Sequence, residues 1–174
     1  GRAELVDFDG LLAEAASCEI EVAVCIGEPL ARRAVADRLR GAGLRLATLV
    51  DPGARVSPKA ELAPGCIVIG WSSIAARTVI GSNTLVMDAH VSHDSVIGEN
   101  CVLNTGSALS CHVTVGDQTF VSMGAMVREG VSVGSHVIVG MGAAVFLDVE
   151  DGLVVAGNPA SPMRRNADMR VFRG

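Results

Sequence analysis

From Val56 onward an aliphatic residue stands at every sixth position: Val56, Leu62, Val68, Ile74 and Ile80. After a one-residue deletion the pattern resumes at Leu85, Val91, Ile97, Leu103, Leu109, Val115, Val121, Val127, Val133, Val139 and Val145, which makes 16 hexads. Four residues after each lies a small or β-branched residue: Ala60, Cys66, Ser72, Thr78, Thr84, Ala89, Ser95, Cys101, Ser107, Val113, Thr119, Ala125, Val131, Val137, Ala143 and Val149. A period of six fits neither the 3.6 of a helix nor a hairpin meander, which would need recurring turn pairs. It predicts a solenoid in which each hexad supplies one flat strand and one corner, with three hexads closing a triangular coil of 18 residues and five coils in all. Gly98, Gly116, Gly134 and Gly152 recur at that spacing, as do Gly106, Gly124 and Gly142, as stacked tight corners would select.

The first 52 residues have no hexads. Ile20–Ile26 reads as a short strand ending at Gly27, and Pro29 is suited to the first turn of a helix. Leu30, Ala34, Val35, Leu39 and Leu44 then form an apolar stripe before a second strand at Leu46–Val50. That is a β-α-β unit, and Asp51-Pro52-Gly53 marks a turn that separates it from the coils. The expected organisation is a small α/β unit over residues 1–52, the solenoid over 53–160 and a tail over 161–174 that packs weakly or as a short helix.

Composition sharpens this picture. Hydrophobic residues make up 49% of the chain, yet it has 4 Phe, 1 Trp and no Tyr, so the core must be layers of Val, Ile, Leu and Ala. No run of 18 apolar residues is present, and the N-terminus has no basic and apolar leader, so the expected location is cytoplasmic, with no membrane partner. A net charge of −5 without a basic block argues against nucleic acid. The five cysteines, Cys18, Cys25, Cys66, Cys101 and Cys111, contain no C-x-x-C pair, so free thiols are expected rather than disulfides or a zinc knuckle.

Together with the hexads, the run Val91-Ser92-His93-Asp94-Ser95-Val96-Ile97-Gly98 and the closing Gly157-Asn158-Pro159-Ala160 carry a resemblance. The chain resembles bacterial sugar acetyltransferases of the hexapeptide-repeat, left-handed β-helix class, above all the sialic acid O-acetyltransferase and UDP-4-amino-sugar N-acetyltransferase group. The resemblance implies a mainly β protein, a left-handed parallel β-helix preceded by a small α/β Rossmann-like domain. The left hand is implied by the resemblance alone, since parallel crossovers ordinarily favour the right. A glycine-rich nucleotide-sugar loop and first strand, also implied, are missing, so the α/β domain is expected to be incomplete.

By this resemblance His93 is a general base that takes a proton from a sugar hydroxyl or amine, and Asp94 holds and polarises its imidazole. Such a base suits attack on a thioester. Acetyl-coenzyme A is the implied co-substrate, lying in the groove between subunits of a homotrimer against Cys111, Met123, Gly124, Met141, Gly142, Asn158 and Pro159. Gly27, Glu28, Arg32 and His112 are the residues implied for a sugar or nucleotide-sugar acceptor. Coil stacking independently predicts that Cys111 lies beside His93 and His112 beside Asp94, because residues 18 apart are neighbours across one strand spacing.

Three features depart from the family pattern. Val102 stands where many relatives carry a second histidine, Cys111 replaces a glycine whose amide contacts the thioester oxygen, and Val86-Met87 replaces an Asn-Thr pair. An amide survives at Cys111, so an oxyanion donor is retained. Two other functions compete with acetyl transfer. One is a trimeric β-helix metalloenzyme of the carbonic anhydrase type, but its His-x4-His spacing is absent and no metal is expected. The other is a non-catalytic hexapeptide scaffold.

Overall fold

A computed structural model describes residues 7–172. The hexads wind into a parallel three-faced solenoid. Face 1 stacks Leu49–Val50, Ile67–Ile69, Leu85–Met87, Val102–Leu103, Phe120–Val121, Ile138–Val139 and Leu153–Ala156. Face 2 stacks Arg55–Val56, Ser73–Ile74, His90–Val91, Ala108–Leu109, Met126–Val127 and Ala144–Val145. Face 3 stacks Glu61–Leu62, Val79–Ile80, Val96–Ile97, Thr114–Val115 and Ser132–Val133.

In each two-residue strand the side chains alternate across the sheet, so the second residue points into the prism. Val91, Ile97, Leu103, Leu109, Val115 and Val121 are all at most 1% exposed and form one aliphatic core. The second series sits at the bends, where several of its hydroxyls bond the next coil. Thr84 Oγ1 donates to Gly98 O (2.8 Å) and Thr119 Oγ1 donates to Gly134 O (2.7 Å), so these two buried hydroxyls are satisfied by stacked carbonyls, whereas the buried Ser107 Oγ has no partner among the described residues.

One detail of the register differs from expectation. Val68 pairs with Val86, and Val86 with Leu103, so the interior residue is Val86 and the missing residue falls after it rather than before Leu85. Leu85 points outward from face 1. Both positions are aliphatic because face 1 is buried on both sides, and the pattern alone cannot tell which one faces in. The recurring glycines also divide in two. Gly106, Gly124 and Gly142 have φ of 65–73°, whereas a Cβ at Gly116 would come within 2.5 Å of the next coil.

The N-terminal unit comprises α1 (Phe8–Ala15), β1 (Glu21–Val22), α2 (Pro29–Gly41) and β2 (Arg45–Leu46). β1 and β2 pair in parallel around α2, as expected of a β-α-β unit, while α1 had no forewarning in the sequence pattern. The expected strand at Leu46–Val50 is divided. Arg45–Leu46 completes the small sheet, and Leu49–Val50 already belongs to the solenoid through Ile67 and Val68, ahead of the Asp51-Pro52-Gly53 turn. The inner stripe of α2 is the expected one in part: Leu39 is buried with Val35 and Leu44 packed about it, but Ala34 is exposed, and Arg32 and Ala36 face inward instead.

The outward row of face 1, Ile67, Leu85, Val102, Phe120 and Ile138, forms a second apolar cluster covered in part by Ala23 and Val171. The tail is not a helix but begins as a strand whose five residues are all exposed. Ser161–Arg165 pairs antiparallel with Leu153–Ala156, which closes the exposed edge of the last coil. Further on, Phe172 sets its ring edge-on to Phe120 at 5.7 Å, so Val171 and Phe172 strap face 1. No helix of the described residues is long and apolar enough to cross a membrane.

Candidate active site

Face 2 turns into face 3 along one edge of the prism, and there Arg77, Asp94, His112 and Gly130 stack with φ of 58°, 58°, 57° and 71°. Such left-handed corners tolerate Asp and His better than branched residues. Backbone bonds clamp the stack: Asp94 N–H to Ala76 O (3.1 Å), His112 N–H to His93 O (3.2 Å) and Gly130 N–H to Cys111 O (3.0 Å). A rigid ladder thus carries the side chains.

Asp94 accepts from Arg77 Nε (2.5 Å, on Oδ1) and Nη2 (2.6 Å, on Oδ2), and its Oδ2 lies 2.6 Å from His93 Nδ1. The Arg77 guanidinium, and after it His93, hold the Asp94 carboxyl well below the usual carboxylate range. A charged carboxylate only accepts, so Nδ1 of His93 carries the proton and the basic lone pair is on Nε2. The His93 side chain is 50% exposed and that of Asp94 23%. His112 sets its ring edge-on to His93 at 5.7 Å, and donor atoms of His93, Cys111 and His112 lie within 4.8 Å of one another.

His93, Asp94, Cys111 and His112 are therefore brought to one corner, and Arg77 joins them. Arg77 was not anticipated. Its signal was the register, because it stands 17 residues before Asp94 in the one coil shortened by the deletion.

The other expected residues divide among different places. Met123, Gly124, Met141 and Gly142 lie exposed on the edge where face 1 turns into face 2, and the space beside Gly124 and Gly142 is open. Asn158 and Pro159, joined by a cis peptide, continue that edge: Ala144 N–H bonds Gly157 O and Ala160 N–H bonds Ala144 O. The width of face 2 separates these six from His93, while Cys111 is on the His93 edge. Within one chain the residues expected to hold the cofactor do not form one surface.

In the acceptor set only His112 is beside His93. Arg32 is fully buried: Nε donates to Asn83 O (2.9 Å), Nη1 to Val24 O (2.6 Å) and Ile26 O (2.8 Å), and Nη2 to Asn83 Oδ1 (3.1 Å). Burial pulls its pKa down to about 10. Its guanidinium is committed to docking the N-terminal unit on the third edge, where face 3 turns into face 1, which corrects the expectation that it meets an acceptor. Glu28 likewise accepts from the Val171 N–H (3.2 Å) and the Phe172 N–H (3.0 Å), and so anchors the tail. Gly27 stands next to it in the loop before α2. Val102, at the position of the relatives' second histidine, is fully buried in the outer cluster of face 1.

No protein-family model matches the chain. Among solved structures it is similar to PerB, the perosamine N-acetyltransferase of Caulobacter crescentus in complex with CoA and GDP-perosamine. The likeness has a TM-score of 0.88 and 32% identity, covering 91% of this chain and 77% of that one. It is also similar to the acetyltransferase domain of PglB from Neisseria gonorrhoeae, with a TM-score of 0.84, 31% identity and coverage of 88% and 77%. Among curated proteins it matches the acyl-[acyl-carrier-protein]–UDP-N-acetylglucosamine O-acyltransferase of Pseudomonas putida, 39% identical over 100 residues, which are 57% of this chain. The match spans only 39% of the length of that relative. The fold and the histidine-bearing edge define a left-handed β-helix acyltransferase architecture. Within it, the chain belongs to the family of hexapeptide-repeat sugar acetyltransferases that includes PerB and PglB.

Proposed function

We propose that this protein moves an acetyl group from acetyl-coenzyme A onto the amine of a nucleotide-linked sugar, with His93 as general base and the active unit a homotrimer. The observation that carries this reading is the Arg77–Asp94–His93 chain of hydrogen bonds on an open edge. It stands in a fold shared over most of its length with sugar N-acetyltransferases whose structures hold CoA or acetyl-coenzyme A.

The acceptor nitrogen attacks the thioester carbonyl while its proton passes to His93 Nε2; the C–S bond then breaks, and the departing thiolate takes up that proton. Asp94 keeps the imidazole in the Nδ1–H form and offsets the charge it gains. Arg77 keeps Asp94 ionised. The position of the residues supports a shared site: Met123 and Met141, on the edge where face 1 turns into face 2, lie the width of face 2 from His93 within one chain. In this reading the cofactor lies against one subunit and the base stands on its neighbour.

The test combines thiol release from acetyl-coenzyme A over a panel of nucleotide-linked amino sugars with sedimentation. Acetyl transfer by a trimer is expected. Absence of both transfer and acetyl-coenzyme A binding would leave a scaffold. For the shared site, mixing inactive His93→Ala and Met123→Trp chains should restore part of the activity, because some interfaces then pair two intact halves. A mixture as inactive as its parents would place the whole site in one chain.

A further inference from the structure

Cys111 and His112 take no part in the proton transfer described above, yet they meet His93 at the corner of the next coil. We propose that His93, Cys111 and His112 form a binding site for a soft divalent metal ion of the zinc type, and that occupancy silences the enzyme by taking the lone pair of His93. The proposal rests on His93 being the general base.

The three donors lie within 4.8 Å of one another on half-exposed to exposed side chains. Zinc bonds of about 2.0–2.3 Å require donors a little closer than that, which small side-chain rotations supply, because the stacked backbone beneath is held by its ladder. Two imidazoles and a thiolate match the ligand preferences of zinc and its softer neighbours, and a fourth position stays open to water. The second observation is the state of His93 itself. Its Nδ1 is 2.6 Å from a carboxylate that Arg77 grips with two nitrogens, which is how a metal-bound histidine is commonly oriented and made more basic. His93 is thus prepared as a ligand by the same bond that prepares it as a base. One lone pair on Nε2 serves a proton or a metal, never both. Binding takes the Cys111 sulfur as the thiolate and releases its proton.

The experiment uses the full chain stripped of metal and titrated with Co²⁺, followed by absorption. Tetrahedral ligand-field bands and a thiolate-to-metal charge-transfer band are expected, both reversed by Zn²⁺. Cys111→Ser should remove the charge-transfer band, and Asp94→Asn should weaken binding by about 10–100-fold without touching the metal. In parallel, Zn²⁺ should abolish acetyl transfer by the parent chain and chelator restore it. Whatever transfer Cys111→Ser retains should be indifferent to the same Zn²⁺ concentration. Absence of a cobalt spectrum, or an identical one in Cys111→Ser, overturns the site. A cobalt spectrum in a metal-free chain that acetylates nothing would keep the site and remove the base reading instead; transfer without metal binding would do the reverse.

Discussion

The second and third edges of the prism are built alike and used differently. Along the second, Arg77, Asp94 and His112 hold left-handed corners, and along the third Asn83, Asn100 and Gln118 do the same at φ of 55–56°. On the third edge the N-terminal unit docks on the corner at Asn83. Asn83 is buried, donates from Nδ2 to Asn100 Oδ1 (2.8 Å) and accepts from Arg32, so its polar atoms are spent on holding the molecule together. On the second edge no part of the described chain covers the corners, and charged side chains turn to each other and to His93. The coil supplies the same backbone at both. Whether a corner becomes structure or chemistry depends on what lies over it.

His93→Ala breaks the comparison most severely. It should lower turnover by about 10²–10⁴-fold, the share of a positioned general base, with acetyl-coenzyme A binding retained by calorimetry. Asp94→Asn should fall close behind. Arg77 has only donors to offer and claims the one remaining oxygen, which turns the amide NH₂ toward Nδ1 and moves the imidazole proton to Nε2.

Next in size is Arg32→Met on the covered edge. It orphans the Val24, Ile26 and Asn83 carbonyls and should cost about 2–4 kcal/mol in denaturant unfolding, with the N-terminal unit releasing first. Val102→His tests whether the relatives' second histidine can be put back. Because Val102 is sealed in the outer cluster of face 1, the expected result is a loss of about 1–3 kcal/mol and no gain in turnover.

Arg77→Gln should have the smallest effect on rate at neutral pH and the clearest effect on the titration of Asp94. Asp94 is held below the ordinary carboxylate range chiefly by Arg77, so it stays charged as the pH falls past that range. Without the guanidinium its pKa rises toward the ordinary value and the carboxylate is neutralised at a higher pH, which a carbon-13 titration of the Asp94 carboxyl should read. An unmoved midpoint would mean that Arg77 does not hold it.

Much of this is legible in the sequence alone. A strict period of six over 16 hexads left only a solenoid, and coil stacking alone placed Cys111 and His112 beside His93 and Asp94. Less legible was Arg77. Its relation to Asp94 crosses the 17-residue step on face 2, whereas the 18-residue rule pairs Arg77 with Ser95 instead. Arg32 and Glu28 misled for a different reason. Their place at an acceptor was implied by the resemblance alone, and nothing local shows that Asn83, 51 residues away, will take up the guanidinium, or that the amides of Val171 and Phe172 will take up the carboxylate.

What the sequence determined by itself is everything that repeats: the inward aliphatic row, the hydroxyl-lined bends, the coil and the column in which each corner residue sits. Periodic local forces decide these, and every hexad restates them. Tertiary structure alone decided which corners are covered, that Arg32 is a pin and Glu28 an anchor, and that face 1 is sheathed by its own chain. Those outcomes depend on single, non-repeating contacts between segments far apart in the chain. Their energy comes from excluding water at one place, and no local pattern records that.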